Sequence, residues 1–268
     1  MPYKRGDNMD RIKLLKLYKE SLRTGIIDDE ILLYLINDEI EKNGYQDYVK
    51  EISFKENSNV CGYYNPIEKK IYIQKDIEDV KSKSKEKLVM SKYLVILGTI
   101  YHELTHVKQD KRYRECLKRC RNKIAKSDYS DIIKSKIYSC EISLKDLYKK
   151  LHDYFPSEHE AVFMGNYMKI NKAEEIEFIP KLSEEIKKEF FIKYLFKNYE
   201  LSYNYVLSPF EHIKDYIDSE EYAFIANEKI LTSYEKLVMG LPMKKDEFVY
   251  VKRILKNSSS FEEGIKRI

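Results

Sequence analysis

Apolar residues recur every three or four positions along the first forty residues, the spacing that places them on one face of an α-helix. This period predicts an amphipathic helix from Met9 to about Arg23 and a second helix from Glu30 to Lys42. Asp28 or Asp29 is placed to cap the second helix, because a carboxylate at that position accepts a backbone N–H. Gly44 follows the last turn, where glycine readily takes the left-handed conformation that ends helices.

The pattern then changes to short runs that are rich in β-branched and aromatic residues. Three such runs predict β-strands, at Val49 to Phe54, Val60 to Tyr64 and Ile71 to Gln74. Asn65 and Pro66 separate the last two runs and are typical of tight turns, which indicates a hairpin. We therefore expect a small antiparallel sheet of about three strands.

From Lys85 the helical period returns and continues, with interruptions, to the end of the chain. The fold class that these patterns predict is α+β and mainly helical, with the small sheet packed on a buried helix and a helical C-terminal part. We expect N-terminal helices over 1–48, a core over 49–170 and a helical extension over 171–268. These segments are expected to form one continuous globular unit.

Composition narrows the range of partners without naming one. The 268 residues include 49 basic and 45 acidic residues, a balance that gives no overall attraction to nucleic acid or membranes. The longest apolar run, Tyr93 to Tyr101, is far shorter than a membrane span requires. The four cysteines are too few for a disulfide-rich secreted protein. We expect a cytoplasmic protein with no membrane partner, and the abundance of Lys, Ile, Tyr and Asn is typical of an AT-rich bacterial or phage genome.

The buried helix after Lys85 contains the motif His-Glu-x-x-His at positions 102–106. Residues four apart lie on one helix face with Cβ atoms about 6 Å apart, so His102 and His106 can point ring nitrogens at one zinc ion. Glu103 lies one residue further round the helix, where its carboxylate can reach a water bound to that metal. Because zinc lowers the pKa of such a water towards about 7, a neighbouring carboxylate can act as its general base.

This segment resembles the active-site helix of the zincin metallopeptidases. Gln109 and Arg112 stand where the metzincin branch would have glycine and histidine, which excludes that branch. The chain is more similar to the gluzincin branch and to short metallopeptidases of bacteria, phages and mobile elements. The resemblance implies a zinc-dependent hydrolase that cleaves peptide or protein substrates, with His102 and His106 as metal ligands and Glu103 as the catalytic base.

The gluzincin resemblance also implies a third metal ligand, a glutamate on a later helix that is followed by a small residue. Glu160, followed by Ala161, fits this pattern and is our predicted third ligand. Glu158 is its main rival because it lies in the first turn of the same helix, and His159 is a further alternative. Met164 stands where thermolysin-like enzymes carry an acid, so support for a zinc-binding histidine must come from another residue.

Two further features of the resembled enzymes are expected. A tyrosine or histidine beyond the third ligand stabilises the oxyanion in those enzymes, and four residues here qualify by their chemistry: Tyr167, Tyr203, Tyr205 and His212. The strand at Ile71 to Gln74 could serve as a sheet edge along which an extended peptide pairs.

The basic segment that follows the motif indicates a different class of function. The window from Val107 to Lys126 carries a net charge of +7, which could attract acidic peptides or the phosphates of a nucleic acid. The alternative hypothesis is a catalytically inactive, zincin-like interaction or regulatory module that works through this basic helix. A solvated helix face is the simpler interpretation of the charge, because no aromatic residues or known binding motif accompany it.

Overall fold

The structure is a computed structural model that describes residues 11–55, 61–75, 77, 84–125, 156–197, 199, 232–239 and 243–268. The chain divides into two compact units. The first unit comprises Met1–Arg112 and Met164–Leu182, and the second comprises Tyr113–Phe163 and Ser183–Ile268. The domain boundaries expected from the sequence stay a prediction.

Two helices open the described part of the first unit, and both were predicted. Helix α1 spans Arg11–Thr24 and helix α2 spans Asp29–Asn43. The side chain of Asp28 accepts the backbone N–H of Glu30 at 2.7 Å, which makes it the N-cap of α2. Gly44 has a φ of 64° and donates its backbone N–H to carbonyls of the last turn, which ends α2 as expected.

The sheet has three strands, β1 (Glu51–Lys55), β2 (Gly62–Asn65) and β3 (Lys70–Gln74), in the order β1-β3-β2. Strands β2 and β3 form the expected antiparallel hairpin. Strand β1 runs parallel to β3, so the sheet is mixed and the prediction of a wholly antiparallel sheet was wrong. The pairing places the buried side chains of Ile52 and Ile71 side by side, and such tertiary packing is not visible in the residue alternation of a single strand.

The third helix, α3, spans Lys85–Ala125 and carries the His-Glu-x-x-His motif. One of its faces is buried against the core of the first unit through apolar residues spaced three or four apart: Val89, Tyr93, Ile96, Leu97, Ile100, Leu104 and Val107. The buried hydroxyl of Tyr93 lies 2.9 Å from Ser21 Oγ and accepts the backbone N–H of Asp28, so α3 is held against both α1 and the start of α2.

The fourth helix, α4, spans Pro156–Glu175, and its C-terminal half belongs to the first unit. There a buried lysine, Lys172, lies 3.1 Å from carboxylate oxygens of both Asp38 and Glu175. Tyr101 of α3 donates a hydrogen bond to Glu39, which is next to Asp38 on α2. This polar cluster ties α2, α3 and α4 together beside the motif.

The described part of the second unit is mainly helical and contains no strand. It contains the last part of α3 from Tyr113, the first two turns of α4, a helix over 184–197 (α5), α6 (Ser233–Met239), α7 (Lys245–Asn257) and α8 (Phe261–Lys266). Its core includes Phe163, Phe191 and Phe261. The ring centroid of Phe261 lies 5.4 Å from that of Phe191 and 6.1 Å from that of Phe163. The α+β, mainly helical fold class is therefore confirmed. Within the described ranges, no helix combines the length and the apolar character needed to cross a membrane.

Candidate metal centre

The two motif histidines face each other across one turn of α3. Their Nε2 atoms are 3.0 Å apart and the rings meet edge to face, with an interplanar angle of 82°. Two ligand nitrogens on one tetrahedral zinc ion, each about 2.05 Å from the metal, would be about 3.3 Å apart. Imidazole nitrogens at the observed separation share either one proton or one metal ion, so the pair is close to the geometry of a metal site.

The orientation of the second histidine is set by a neighbour on its own helix. The Nδ1 atom of His106 lies 2.9 Å from Oε1 of Gln109, three residues later. An amide oxygen only accepts hydrogen bonds, so a hydrogen bond here requires the ring proton on Nδ1, which in a neutral imidazole leaves the lone pair on Nε2. Sequence reasoning used Gln109 only to exclude the metzincin pattern, although its i+3 spacing from His106 is a signal for such a contact.

Glu103 lies against the sheet, and the contact depends on a glycine. The Glu103 side chain is buried, and it neighbours Gly62 of strand β2. A Cβ atom added at Gly62 would lie 2.6 Å from Cγ2 of Thr99, 2.9 Å from the carbonyl oxygen of Tyr72 and 3.3 Å from Cγ of Glu103. Only the absence of a side chain allows β2 to approach α3 this closely.

The strand that lies beside the motif is β2, whereas the sequence suggested β3. Strand β3, which the sequence suggested as an edge, is the central strand of the sheet and pairs on both sides. That prediction was wrong. Strand β2 is an edge strand of the described sheet, and its first residue, Gly62, is the one that lies beside Glu103.

A tyrosine fixes the other end of β2 to the same helix. Tyr64 Oη donates towards Asp110 Oδ2 at 3.0 Å and towards the carbonyl oxygen of Tyr48 at 3.1 Å. Asp110 follows the motif by one helical turn. Strand β2 is therefore held to α3 at both Gly62 and Tyr64, on either side of the two histidines along the helix.

Helix α4 approaches α3 at a second glycine. A Cβ atom added at Gly165 would lie 2.7 Å from the carbonyl oxygen of Gly98 and 3.3 Å from the backbone nitrogen of His102. Glu158 precedes Gly165 by seven residues, close to two full turns of about 3.6 residues, and therefore lies on the same face of α4. Glu160 precedes Gly165 by five residues, which turns it about 140° away from that face.

The carboxylate that accompanies the histidines is accordingly Glu158. One ligand atom each from His102, His106 and Glu158 lie within 4.8 Å of one another. Glu160, the third ligand expected from the sequence, is not in this group. It is buried too, but its charge acts on Tyr234 of α6: burial raises the pKa of Tyr234, and the charges of Glu160 and Glu262 raise it further.

The remaining sequence candidates fall into two groups. Tyr167 lies on α4 and is half-buried. Tyr203, Tyr205 and His212 lie outside the described residues. The side chains of His159 and of the basic window from Arg112 onward are also outside the described part of the structure.

The chemistry of the donor set fits zinc. Two imidazoles and one carboxylate are the protein ligands of many catalytic zinc sites, which leave a fourth position for water or substrate. A carboxylate as buried as that of Glu158 is costly unless a cation or hydrogen bonds compensate its charge.

Comparison with known proteins adds no relative. No protein-family model matches the chain, and no curated protein or solved structure matches it.

Proposed function

We propose that this protein is a zinc-dependent metallopeptidase of the zincin type, in which His102, His106 and Glu158 hold the metal ion. The observation that carries the proposal is the convergence of these three side chains, with ligand atoms within 4.8 Å of one another. Glu158 takes the place of Glu160 in this ligand set because it shares the face of α4 on which Gly165 meets α3. The proposed location is the cytoplasm, on the ground of the low cysteine content.

The chemistry that zinc supplies in such a site is Lewis acidity, which makes a water molecule a nucleophile near neutral pH. Glu103 is the proposed general base. Its carboxylate would accept a proton from the attacking water as the water oxygen bonds to the peptide carbonyl carbon. The same carboxylate would then deliver the proton to the amine as the C–N bond breaks.

The close packing around Glu103 supports this role. The residue adjoins His102, its side chain is buried, and β2 packs directly over it at Gly62. A catalytic carboxylate that is fixed by its surroundings loses less activity to misalignment than a mobile one.

A peptide is the proposed substrate because β2 is an edge strand beside the catalytic base. An extended peptide can add to such an edge through backbone hydrogen bonds, which bind it largely independently of its side chains. Pairing along β2 would bring a peptide bond past Glu103 and the two histidines. This assigns to β2 the role that the sequence suggested for β3.

The test compares wild-type full-length protein with Glu103→Gln on a library of quenched fluorogenic peptides. We expect the wild type to cleave members of the library and Glu103→Gln to lose at least about 100-fold in kcat, the usual contribution of a general base. Zinc content should be equal in the two proteins because Glu103 is not a ligand. Undiminished cleavage by Glu103→Gln would refute the mechanism, and a wild type that cleaves nothing but binds DNA or RNA in a salt-sensitive manner would favour the inactive basic module.

A further inference from the structure

Gln109 contacts the second of the two motif histidines. It lies on α3 three residues after His106, and its Oε1 lies 2.9 Å from Nδ1 of that ring, where an amide oxygen can only be the acceptor. In a neutral imidazole, a proton on Nδ1 leaves the lone pair on Nε2, and this is the atom of His106 that lies 3.0 Å from Nε2 of His102. The bond therefore determines which nitrogen of His106 is available to a metal.

We propose that Gln109 is the positioning residue of this site, and that it holds His106 in the Nδ1–H tautomer with Nε2 directed at the metal position. The metal part of this inference rests on the proposed function. The tautomer part does not, because it follows from the hydrogen bond alone. Partners of this kind are what orient metal-binding histidines, and their loss weakens metal affinity.

The residue next to Gln109 on α3 makes a different contact. Asp110 is also within one turn of His106, and a carboxylate would be the stronger acceptor. Tyr64 Oη donates to Asp110, however, and this links the carboxylate to strand β2. Two adjacent residues of α3 thus have separate tasks: Asp110 holds the sheet to the helix, and Gln109 orients the histidine.

Gln109 also supplies the support that the sequence left open. Met164 stands where thermolysin-like enzymes carry an acid, and Met164 has no group able to accept a hydrogen bond strongly. A contact from the same helix needs no second element to be placed correctly, since i and i+3 side chains on a helix are neighbours.

The experiment uses the full-length protein and three variants. Gln109→Ala removes the acceptor and keeps a strong helix former, Gln109→Glu keeps an acceptor at the same place, and Gln46→Ala makes the same chemical change at an exposed site of the first unit. The first measurement is the tautomer of His106 in metal-free protein, from two-bond ¹⁵N–¹H NMR correlations at about pH 8, where an unperturbed imidazole is neutral. The second is the dissociation constant for Zn²⁺, from competition with a chromophoric chelator.

We expect wild type, Gln109→Glu and Gln46→Ala to show the Nδ1–H tautomer of His106, and Gln109→Ala to shift towards Nε2–H. The Zn²⁺ dissociation constant should rise about 10- to 100-fold in Gln109→Ala and stay near wild type in Gln46→Ala. An unchanged tautomer and a dissociation constant within twofold of wild type in Gln109→Ala would overturn the inference and leave the metal site standing. A wild type that binds no Zn²⁺, with a tautomer that still switches in Gln109→Ala, would refute the metal site and leave Gln109 as the residue that orients His106.

Discussion

Gly62 and Glu103 lie so close together that a Cβ atom on the glycine would be 3.3 Å from Cγ of the glutamate. The same atom would be 2.6 Å from Cγ2 of Thr99 and 2.9 Å from a backbone carbonyl. The proposed catalytic base and the edge strand of the sheet are thus in direct contact, and the contact exists only because residue 62 has no side chain.

Gly62→Ala is expected to reduce both stability and activity. The added methyl group must push β2 away from α3, and overpacking of this kind costs about 1 to 3 kcal/mol in the free energy of unfolding. A displacement of the base by about 1 Å would lower kcat/KM about 100-fold. Urea unfolding and peptide cleavage measure the two effects.

The matched control for this prediction is the double variant Gly62→Ala with Thr99→Ser. Serine lacks the Cγ2 atom that makes the shortest of these contacts but keeps the hydroxyl that donates to the carbonyl oxygen of Val95. The double variant should recover part of the lost stability and activity. If Gly62→Ala alone behaves as wild type, the close contact between β2 and Glu103 is contradicted.

Two glycines in helices predict opposite effects of the same substitution. Gly98→Ala should stabilise the protein by up to about 1 kcal/mol, the gain in helix propensity, because its Cβ would meet only the flexible end of Lys169 at 3.4 Å. Gly165→Ala should destabilise it, since a contact of 2.7 Å with the carbonyl oxygen of Gly98 involves rigid backbone and outweighs that gain. Thermal unfolding of both variants measures the difference, and stabilisation by Gly165→Ala would contradict the close approach of α4 to α3.

Gly165→Ala should also weaken zinc binding, whereas Gly98→Ala should leave it unchanged. The reason is that Glu158 and Gly165 share one face of α4, so a shift of the helix at Gly165 carries the carboxylate away from His102. Zinc titration of the two variants measures this difference. Equal zinc affinities would show that zinc binding does not depend on the close approach of α4 to α3.

Local features of this protein could be predicted from the sequence, and features set by tertiary packing could not. Asp28 and Gly44 mark the two ends of α2 through hydrogen bonds to residues within one turn. Their identity and position in the sequence are therefore enough to predict where the helix begins and ends. The same holds for His102 and His106, which one helix brings together. Strand β1 gave no sign that it would run parallel to β3, because an alternating strand has the same pattern in either direction.

The proposed third ligand shows this limit most clearly. Glu158 and Glu160 both lie near the start of α4, and each is compatible with the spacing that the sequence offers. Which of them faces α3 depends on the rotation of α4, and that rotation is set at Gly165, where the backbones touch. A single sequence shows that Gly165 is small but not which helix it meets.

The cluster around Lys172 predicts a pH-dependent stability. Burial acts to raise the pKa of Asp38, but hydrogen bonds from Lys42 and Lys172 outweigh it, so the pKa is lower than that of a free aspartate. A carboxyl group with a lowered folded-state pKa contributes stability above its unfolded value of about 3.9, and this contribution is lost as the pH falls below that value. Asp38→Asn should therefore lower the free energy of unfolding at pH 7 by about 2 kcal/mol, with a difference from wild type that shrinks below pH 4.

Asp47→Asn is the control for this prediction, because the side chain of Asp47 is 93% exposed and its nearest ion-pair contact, with Lys50, is 3.7 Å long. Chemical denaturation of the three proteins between pH 3 and pH 7 gives the comparison. A loss in Asp38→Asn that is independent of pH, or an equal loss in Asp47→Asn, would show that the charge of Asp38 is not what stabilises the cluster.

The central claim is that His102, His106 and Glu158 form one zinc site. The measurement that tests it most directly is the Zn²⁺ dissociation constant of the full-length protein beside the isosteric variants Glu158→Gln and Glu160→Gln. We expect one zinc ion per chain in the wild type and a zinc affinity near wild type in Glu160→Gln. In Glu158→Gln we expect the zinc affinity to be at least about 100-fold weaker, a larger effect than loss of a supporting hydrogen bond causes. A wild type that binds no zinc, or an affinity that falls in Glu160→Gln and not in Glu158→Gln, would contradict the claim.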